Sequence, residues 1–300
     1  MTPRFSVSNF LAVVNQTFEV AFNGAVEVEG EVASFKPYPP KYAFFTLKDE
    51  DGSVNCFVGF SNLRTPIEDG MKVVVRAMPS LRSDGRFNLQ VQEIHPLGKG
   101  SLKRSFDILR QRLSAEGLFD MERKRSLPPY PARVAVISST QAAGYADFMK
   151  IAGERWGGVT FIVANVKVQG DGAADQAVKA IAYCNQLAEP PELIVLIRGG
   201  GSAEDLASFN DEHLVRAVAG SRVPVLTGIG HEIDESLCDL AADVRAATPS
   251  NAAQLLFPDK HDVRRQLALR LGSISEVIQQ QIKERRLHAT MLQQAALEQW

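Results

Sequence analysis

Residues 193–206 read Leu-Ile-Val-Leu-Ile-Arg-Gly-Gly-Gly-Ser-Ala-Glu-Asp-Leu, and the reading of this stretch organises the rest of the chain. An unbroken apolar run, closed off by prolines before it and glycines after it, fits a strand buried on both faces. Such strands belong to parallel sheets covered by helices on either side. Arg198 and Gly199, Gly200, Gly201 and Ser202 then fall at the strand's carboxyl end and lead into a predicted helix. Glycines let backbone N–H groups approach a phosphate closely, and a helix start offers more of them. Arg198 adds a planar, permanently charged fork suited to phosphate oxygens. A structural tight turn would also account for the glycines. Neither a Walker-type GxxxxGK[ST] nor a GxGxxG pattern is present, which directs the reading away from a nucleotide cofactor and toward a phosphodiester.

Outward from this strand the same alternation continues. VAVIS (134–138), a helix through DFMKIAGERW (147–156), TFIVAN (160–165), a helix from Ala173 to Leu187, LIVLI (193–197), a helix after Ser202 and VPVLTGI (223–229) follow in turn. Strand and helix in alternation predict an α/β domain with a parallel sheet. In such sheets ligands bind outside the carboxyl ends of the strands. The loop after the last strand reads Thr227-Gly228-Ile229-Gly230-His231-Glu232-Ile233-Asp234. Imidazole exchanges protons near neutral pH, and a carboxylate three residues on could orient it or simply cap a helix. The loop after the first strand, SSTQAAGYAD (138–147), ends on Asp147, which by itself is an ordinary first-turn helix carboxylate. Convergence is the argument for catalysis: loops from three strands bring Asp147, Arg198, His231 and Asp234 to one sheet edge. Two aspartates and a histidine could hold one Mg²⁺, but no metal site and no obligatory cofactor is assigned.

Upstream, residues 24–94 hold short Val- and Phe-rich segments, AVEVEGEVASF, YAFFTLKD, SVNCFVGF, MKVVVRAMPS and RFNLQVQEI, with turn signals at Glu50-Asp51-Gly52-Ser53 and Ser83-Asp84-Gly85-Arg86. About five short strands in so compact a stretch suit a small barrel such as the OB-fold. Phe35, Tyr38, Tyr42, Phe44, Phe45 and Phe57 lie on or beside these strands. Alternation should bury Phe45 and Leu47 while Phe44 faces outward. Outward rings can stack unpaired bases of any sequence. Phe35, Tyr42 and Phe44, with Lys41 beside them, are the candidates for such contacts.

Between barrel and sheet, Leu102, Phe106, Leu109 and Leu113 follow a helical period that Gly117 should end. The arm MERKRSLPPYP (121–131) carries Arg123, Lys124 and Arg125, a charge run that could track a phosphate backbone. After Asp259, Val263, Leu267, Leu271, Ile274, Ile278 and Ile282 form a narrow stripe expected of a coiled-coil or partner-binding helix. That pattern is still running at Trp300, so the helix is expected to continue past the chain end. The predicted division is an OB-fold domain at 1–100, an α/β catalytic domain at 101–259 and the start of a long helical region at 260–300.

With 45% hydrophobic residues and a net charge of −2, the chain has the composition of a folded globular protein, and the overall charge does not announce a nucleic-acid binder. The first residues lack a secretory signal and no apolar run reaches membrane-spanning length, so a cytoplasmic location is expected. Cys56, Cys184 and Cys238 are odd in number and far apart, which argues against disulfides and zinc.

At the quoted segments the chain resembles the large-subunit family of bacterial exodeoxyribonuclease VII. VEVEGEVASF with FFTLKDEDGSVNCFVGF is similar to that family's OB-fold, and LSAEGLFDMERKRSLPPYPARVAVISS to its junction. VQGDGAA, IRGGGSAEDLASFN, GHEID and ADVRAATPSNAAQLLFPD follow in the family's order. The resemblance implies hydrolysis of single-stranded DNA from its ends to short oligonucleotides with 5′-phosphates. It also implies a hetero-oligomer in which several small subunits bind the long helices, an activity that need not depend on added divalent metal, and functional roles for Asp147, Arg198, His231 and Asp234. Two positions depart from the family pattern: the loop before Asp147 is longer than SPTGAAxRD, and Gln254 stands where many members have Glu. The main alternative from the residues is a non-enzymatic single-stranded-DNA-binding protein, which the barrel alone would satisfy.

Overall fold

The computed structural model describes residues 3–170, 172–199, 204–229 and 235–297. Helix α1 (Val7–Ala21) precedes a closed barrel of β1 (Val26–Tyr38), β2 (Tyr42–Lys48), β3 (Ser53–Gly59), β4 (Lys72–Leu81) and β5 (Phe87–Pro96) in the order β1-β2-β3-β5-β4. Closure depends on β1 being long enough to pair with β2 through one part of its length and with β4 through another. A bulge between Ala33 and Lys36, with Ser34 at φ 55°, bends the strand where it changes partners. Val32, Ala43, Phe45, Leu47, Cys56, Val58, Val73 and Val75 fill the interior. Both expected turns form: Asp49 accepts from the N–H groups of Asp51 and Gly52, and Gly85 takes φ 80°.

Helix α1 is an addition to the elements expected from the sequence pattern. It lies against β4, pinned by Asn15, whose amide donates to the Leu81 carbonyl at 3.0 Å and accepts from the Leu81 N–H at 2.8 Å.

Helix α2 (Gly98–Ala115) leads to the second domain and ends where expected, Gly117 at φ 76° letting Leu118 N–H reach back to the Leu113 carbonyl. Then come β6 (Arg133–Ser138), α3 (Ala143–Arg155), β7 (Thr160–Asn165), α4 (Ala173–Gln186), β8 (Leu193–Ile197), α5 (Glu212–Ala219), β9 (Val225–Gly228), α6 (Leu237–Ala241), β10 (Val244–Arg245) and α7 (Pro249–Leu256). The sheet is parallel throughout, in the order β10-β9-β8-β6-β7. All five β8 side chains are fully buried. On one face Ala135, Ile137, Ile194 and Leu196 pack with α2, α4 and α5. On the other Val134, Val136, Val195 and Ile197 pack with Phe148 of α3 and Ala252 of α7. The helix expected directly after the glycine loop is displaced. Residues Glu204–Asn210 form a 3-10 turn, and the α-helix begins only at Glu212, with Asp211 as its cap. Asp211 makes a local side-chain bond that starts the helix, accepting from Leu214 N–H, while Asn210 accepts from the distant Leu237 N–H at the start of α6.

The basic arm makes contacts within the domain that its sequence does not announce. Arg125 makes a two-pronged ion pair with Asp243 and donates to the carbonyls of Ser221, Arg222 and Val223, while Lys124 donates to those of Leu240 and Ala242. Arg123 reaches the Ala219 carbonyl at 3.4 Å. These acceptors lie around the start of β9, at the amino edge of the sheet, opposite the edge where a ligand is expected. Carbonyls left over at the ends of α5 and α6 attract cations, so Lys124 and Arg125 tie the arm to the fold, while Arg123 stays exposed. Burial alone would raise the Asp243 carboxyl, but the Arg125 guanidinium and the N–H of Val225 outweigh it and hold the group below its usual range. Burial lowers Lys124.

Helix α8 (Lys260–Leu297) leaves the compact body, and from residue 264 to 291 every side chain is exposed, Leu267, Leu271, Ile274, Ile278 and Ile282 included. Among the described residues no helix is long and apolar enough to cross a membrane. The three cysteines are free and buried, with the Cys56 thiol pushed up by burial to about 12.

Candidate active site and nucleic-acid face

Numbered within its own domain, the sheet has the strand order 2-1-3-4-5, and such sheets open a crevice at the carboxyl ends of the strands where the order reverses. Here that point lies between β6 and β8. The loop leaving β6 carries Ser139 to Ala142 and starts α3, and the loop leaving β8 begins with Arg198 and Gly199. These two loops meet. A methyl group placed on Gly144 would lie 2.9 Å from the Gly199 Cα and 2.8 Å from the Pro249 ring; one placed on Gly199 would lie 3.4 Å from the Gly144 nitrogen. Glycine is therefore required at 144, whereas a methyl on Gly199 would meet its neighbours at ordinary contact distance. The contact brings the first N–H groups of α3, which have no partner within their own helix, beside the glycine loop.

Arg198 is 2% exposed, and its N–H donates to the Gly228 carbonyl at 3.3 Å, joining the end of β8 to that of β9. Gly228 is itself hemmed in, since a methyl placed on it would lie 3.2–3.3 Å from Ile197, the Thr248 carbonyl and Ala252. Asp147 sits on α3 one turn past Gly144 and is exposed. It is thus beyond the first turn, not within it. The approach of Gly144 to Gly199 places the start of the helix that carries Asp147 beside the loop that begins with Arg198. Gly200, Gly201, Ser202, His231 and Asp234 lie outside the described residues.

Sequence reasoning passed over the support for this crevice. Thr248 caps α7 by accepting from Asn251 N–H, and Pro249 at the helix start abuts Gly144. The Thr-Pro-Ser-Asn order is a readable helix-start signal. Ser138 and Thr227, near the ends of β6 and β9, are fully buried with hydroxyls that bond no protein group among the described residues. Among the described residues no group of three or more His, Cys, Asp or Glu side chains is gathered as a metal site.

On the barrel, Phe45 and Leu47 are buried at 2% exposure each, and Phe44 turns outward. It joins Tyr42 and Phe57, each with its ring centre 5.3 Å away, and Tyr38 at 6.0 Å. Lys41 is exposed in the adjoining turn. Phe35 does not belong to this group; it packs against the barrel core, because the bulge that follows Ala33 changes which face the strand presents. Phe57 takes its place.

A closed five-stranded barrel with an outward aromatic face, joined to a parallel-sheet α/β domain whose loops meet at the switch point, defines an OB-type barrel carried on an α/β domain. Residues 5–95 match the model of the OB-fold nucleic acid binding domain, and residues 118–299 match that of Exonuclease VII, large subunit. The chain belongs to the exonuclease VII large-subunit family. It is 38% identical over 259 residues to the exodeoxyribonuclease 7 large subunit of Rhodopirellula baltica, covering 85% of this chain and 58% of that one. The corresponding protein of Clostridium beijerinckii is 36% identical over 264 residues, 87% of this chain and 65% of the relative. That of Rhizobium etli is 35% identical over 302 aligned positions, 97% and 57%. The chain therefore spans less than two thirds of the length of these relatives.

Proposed function

We propose that this chain forms the DNA-handling and catalytic part of an exodeoxyribonuclease that hydrolyses single-stranded DNA from its ends into short oligonucleotides with 5′-phosphates. The observation that supports the reading is the close approach of Gly144 to Gly199, next in sequence to Arg198, at the sheet's switch point, where the first N–H groups of α3 meet the glycine loop. In the proposed reaction Arg198 and the loop amides stabilise charge growing on the phosphoryl oxygens. His231 exchanges a proton with the attacking water or the leaving oxygen, and Asp234 orients its ring. Asp147 positions the water or contributes to a Mg²⁺ site, with no obligatory metal in this reading. Several copies of a small subunit cover the exposed stripe of α8, and the complex works in the cytoplasm.

The deciding experiment is cleavage of end-labelled single-stranded and duplex DNA by the full-length protein, with and without the small subunit, in EDTA and in Mg²⁺ side by side. Short products from single strands are expected, with duplex resisted. Absence of cleavage in every condition rejects the activity, and failure of the small subunit to bind the complete helix rejects the role of α8.

On the barrel, Phe44→Ala is expected to weaken single-strand binding by about 5- to 150-fold, since stacking on one aromatic contributes about 1–3 kcal/mol per base. Lys41→Ala should have a smaller, salt-sensitive effect. Fluorescence anisotropy with a labelled oligonucleotide measures both; an unchanged affinity for Phe44→Ala would remove the rings from the binding face.

A further inference from the structure

Two ion pairs fix the direction in which the barrel stands. Arg112 of α2 pairs with Glu212, and Arg216 pairs with Glu116 at 2.6 Å, so α2 and α5 run side by side in the same direction. Because α5 leads into the start of β9, it runs from the carboxyl edge of the sheet to the amino edge. Leu109 and Phe106 still pack on the core of the sheet domain, so the part of α2 before Ser105, about 10 Å of helix from Gly98, is what projects past the carboxyl edge. The barrel is attached to that projecting end, and so stands over the edge that holds Arg198 and Gly199.

One side chain of the barrel reaches down to this edge. Arg64, in the connection from β3 to β4, bonds Asp175 in the first turn of α4 at 2.5 Å. It is also close enough to Asp211, the cap of α5, for its charge to favour that carboxylate against the effect of burial. Arg64 thus sits between the starts of two helices that both begin at the carboxyl edge. In the barrel, no more than about 25 Å of extended chain separates it from Phe57 of the aromatic face. In the sheet, α4 follows β7, which lies two strand spacings, about 10 Å, from β8.

We propose that the Arg64–Asp175 ion pair is a positioning contact that aligns the aromatic face of the barrel with the carboxyl-edge crevice, so that a single strand lying on the rings is led into the site. This rests on the nuclease reading. A substrate long enough to touch both barrel and crevice gains from the alignment, and one that fills only the crevice does not.

The test is a double-mutant cycle in the full-length protein with its small subunit, using a long single strand and the shortest oligonucleotide that is cleaved. Arg64→Ala and Asp175→Ala are each expected to lower kcat/KM on the long strand about three- to fivefold, the scale of a half-exposed ion pair, through KM rather than kcat. The double variant should be no worse than either single, Arg64→Lys should stay near wild type, and the short substrate should be unaffected. Additive losses, equal losses on both substrates, or unchanged single variants would each overturn the proposal. A wild-type protein that cleaves neither substrate instead rejects the nuclease reading, and the alignment role falls with it.

Discussion

His231→Ala in the full-length complex is expected to bind single-stranded DNA as the wild type does while losing about 10²–10⁴-fold in single-turnover cleavage, the usual contribution of a positioned general acid or base. Binding should persist because the groups assigned to hold the strand are elsewhere: the rings of Tyr42, Phe44 and Phe57 on the barrel, and Arg198 with Gly199 at the end of β8. Two companion variants separate the roles. Arg198→Lys keeps the charge and loses the fork, so a large loss would identify geometric recognition of the phosphate rather than attraction alone. Asp234→Asn keeps the shape and removes the charge that would support a protonated imidazole. All three are compared at saturating DNA, where a binding defect cannot pass for a chemical one. Cleavage by His231→Ala at the wild-type rate would dismiss the proposed centre and turn attention to Asp147.

What the sequence makes legible, and what it does not, divides along a physical line. Features set by local periodicity are readable. The run from Leu193 to Ile197 fits a strand covered on both sides, and the alternation of Phe44 with Phe45 divides the rings between solvent and core. Arg198 and Gly199 are readable for the same reason, since the chain must leave a buried strand at its carboxyl end. Features set by distant partners are not. The charge of Lys124 and Arg125 suggests DNA, but nothing local says that Arg125 will meet Asp243, a residue 118 positions away. The bulge that turns Phe35 toward the core is a property of two pairings made by one strand. The 3-10 turn after the glycine loop is hidden because the helical pattern of 212–219 extends back across Asp211, whose side chain ends the helix there. Gly144 looks like an ordinary break in a loop; its need for a missing side chain emerges only once Gly199 and Pro249 are beside it.

That contact supports the second large expected effect, because glycine-to-alanine changes in one helix should have opposite signs at two positions. Gly153 lies in α3 with nothing within 4 Å of the place a methyl would occupy, so Gly153→Ala should stabilise the protein by up to about 1 kcal/mol through helix propensity alone. Gly144 gains the same propensity, but its methyl would sit 2.9 Å from the Gly199 Cα, 3.0 Å from the Gly199 nitrogen and 2.8 Å from the Pro249 ring. Two of those atoms are backbone and the third belongs to a rigid ring, so relief requires moving α3, the glycine loop or α7 as a unit. Overpacking of this kind costs about 1–3 kcal/mol, enough to reverse the helix gain. The effect on cleavage should be larger than the effect on stability. A shift on the order of 1 Å in groups that position a reacting phosphate can cost about 10²-fold, and Gly199 is joined directly to Arg198. Urea denaturation and single-turnover cleavage on the two variants measure both quantities. A Gly144→Ala protein as stable and as active as Gly153→Ala would mean that the two loops can separate freely, and the crevice between β6 and β8 would then lose its claim to hold the phosphate.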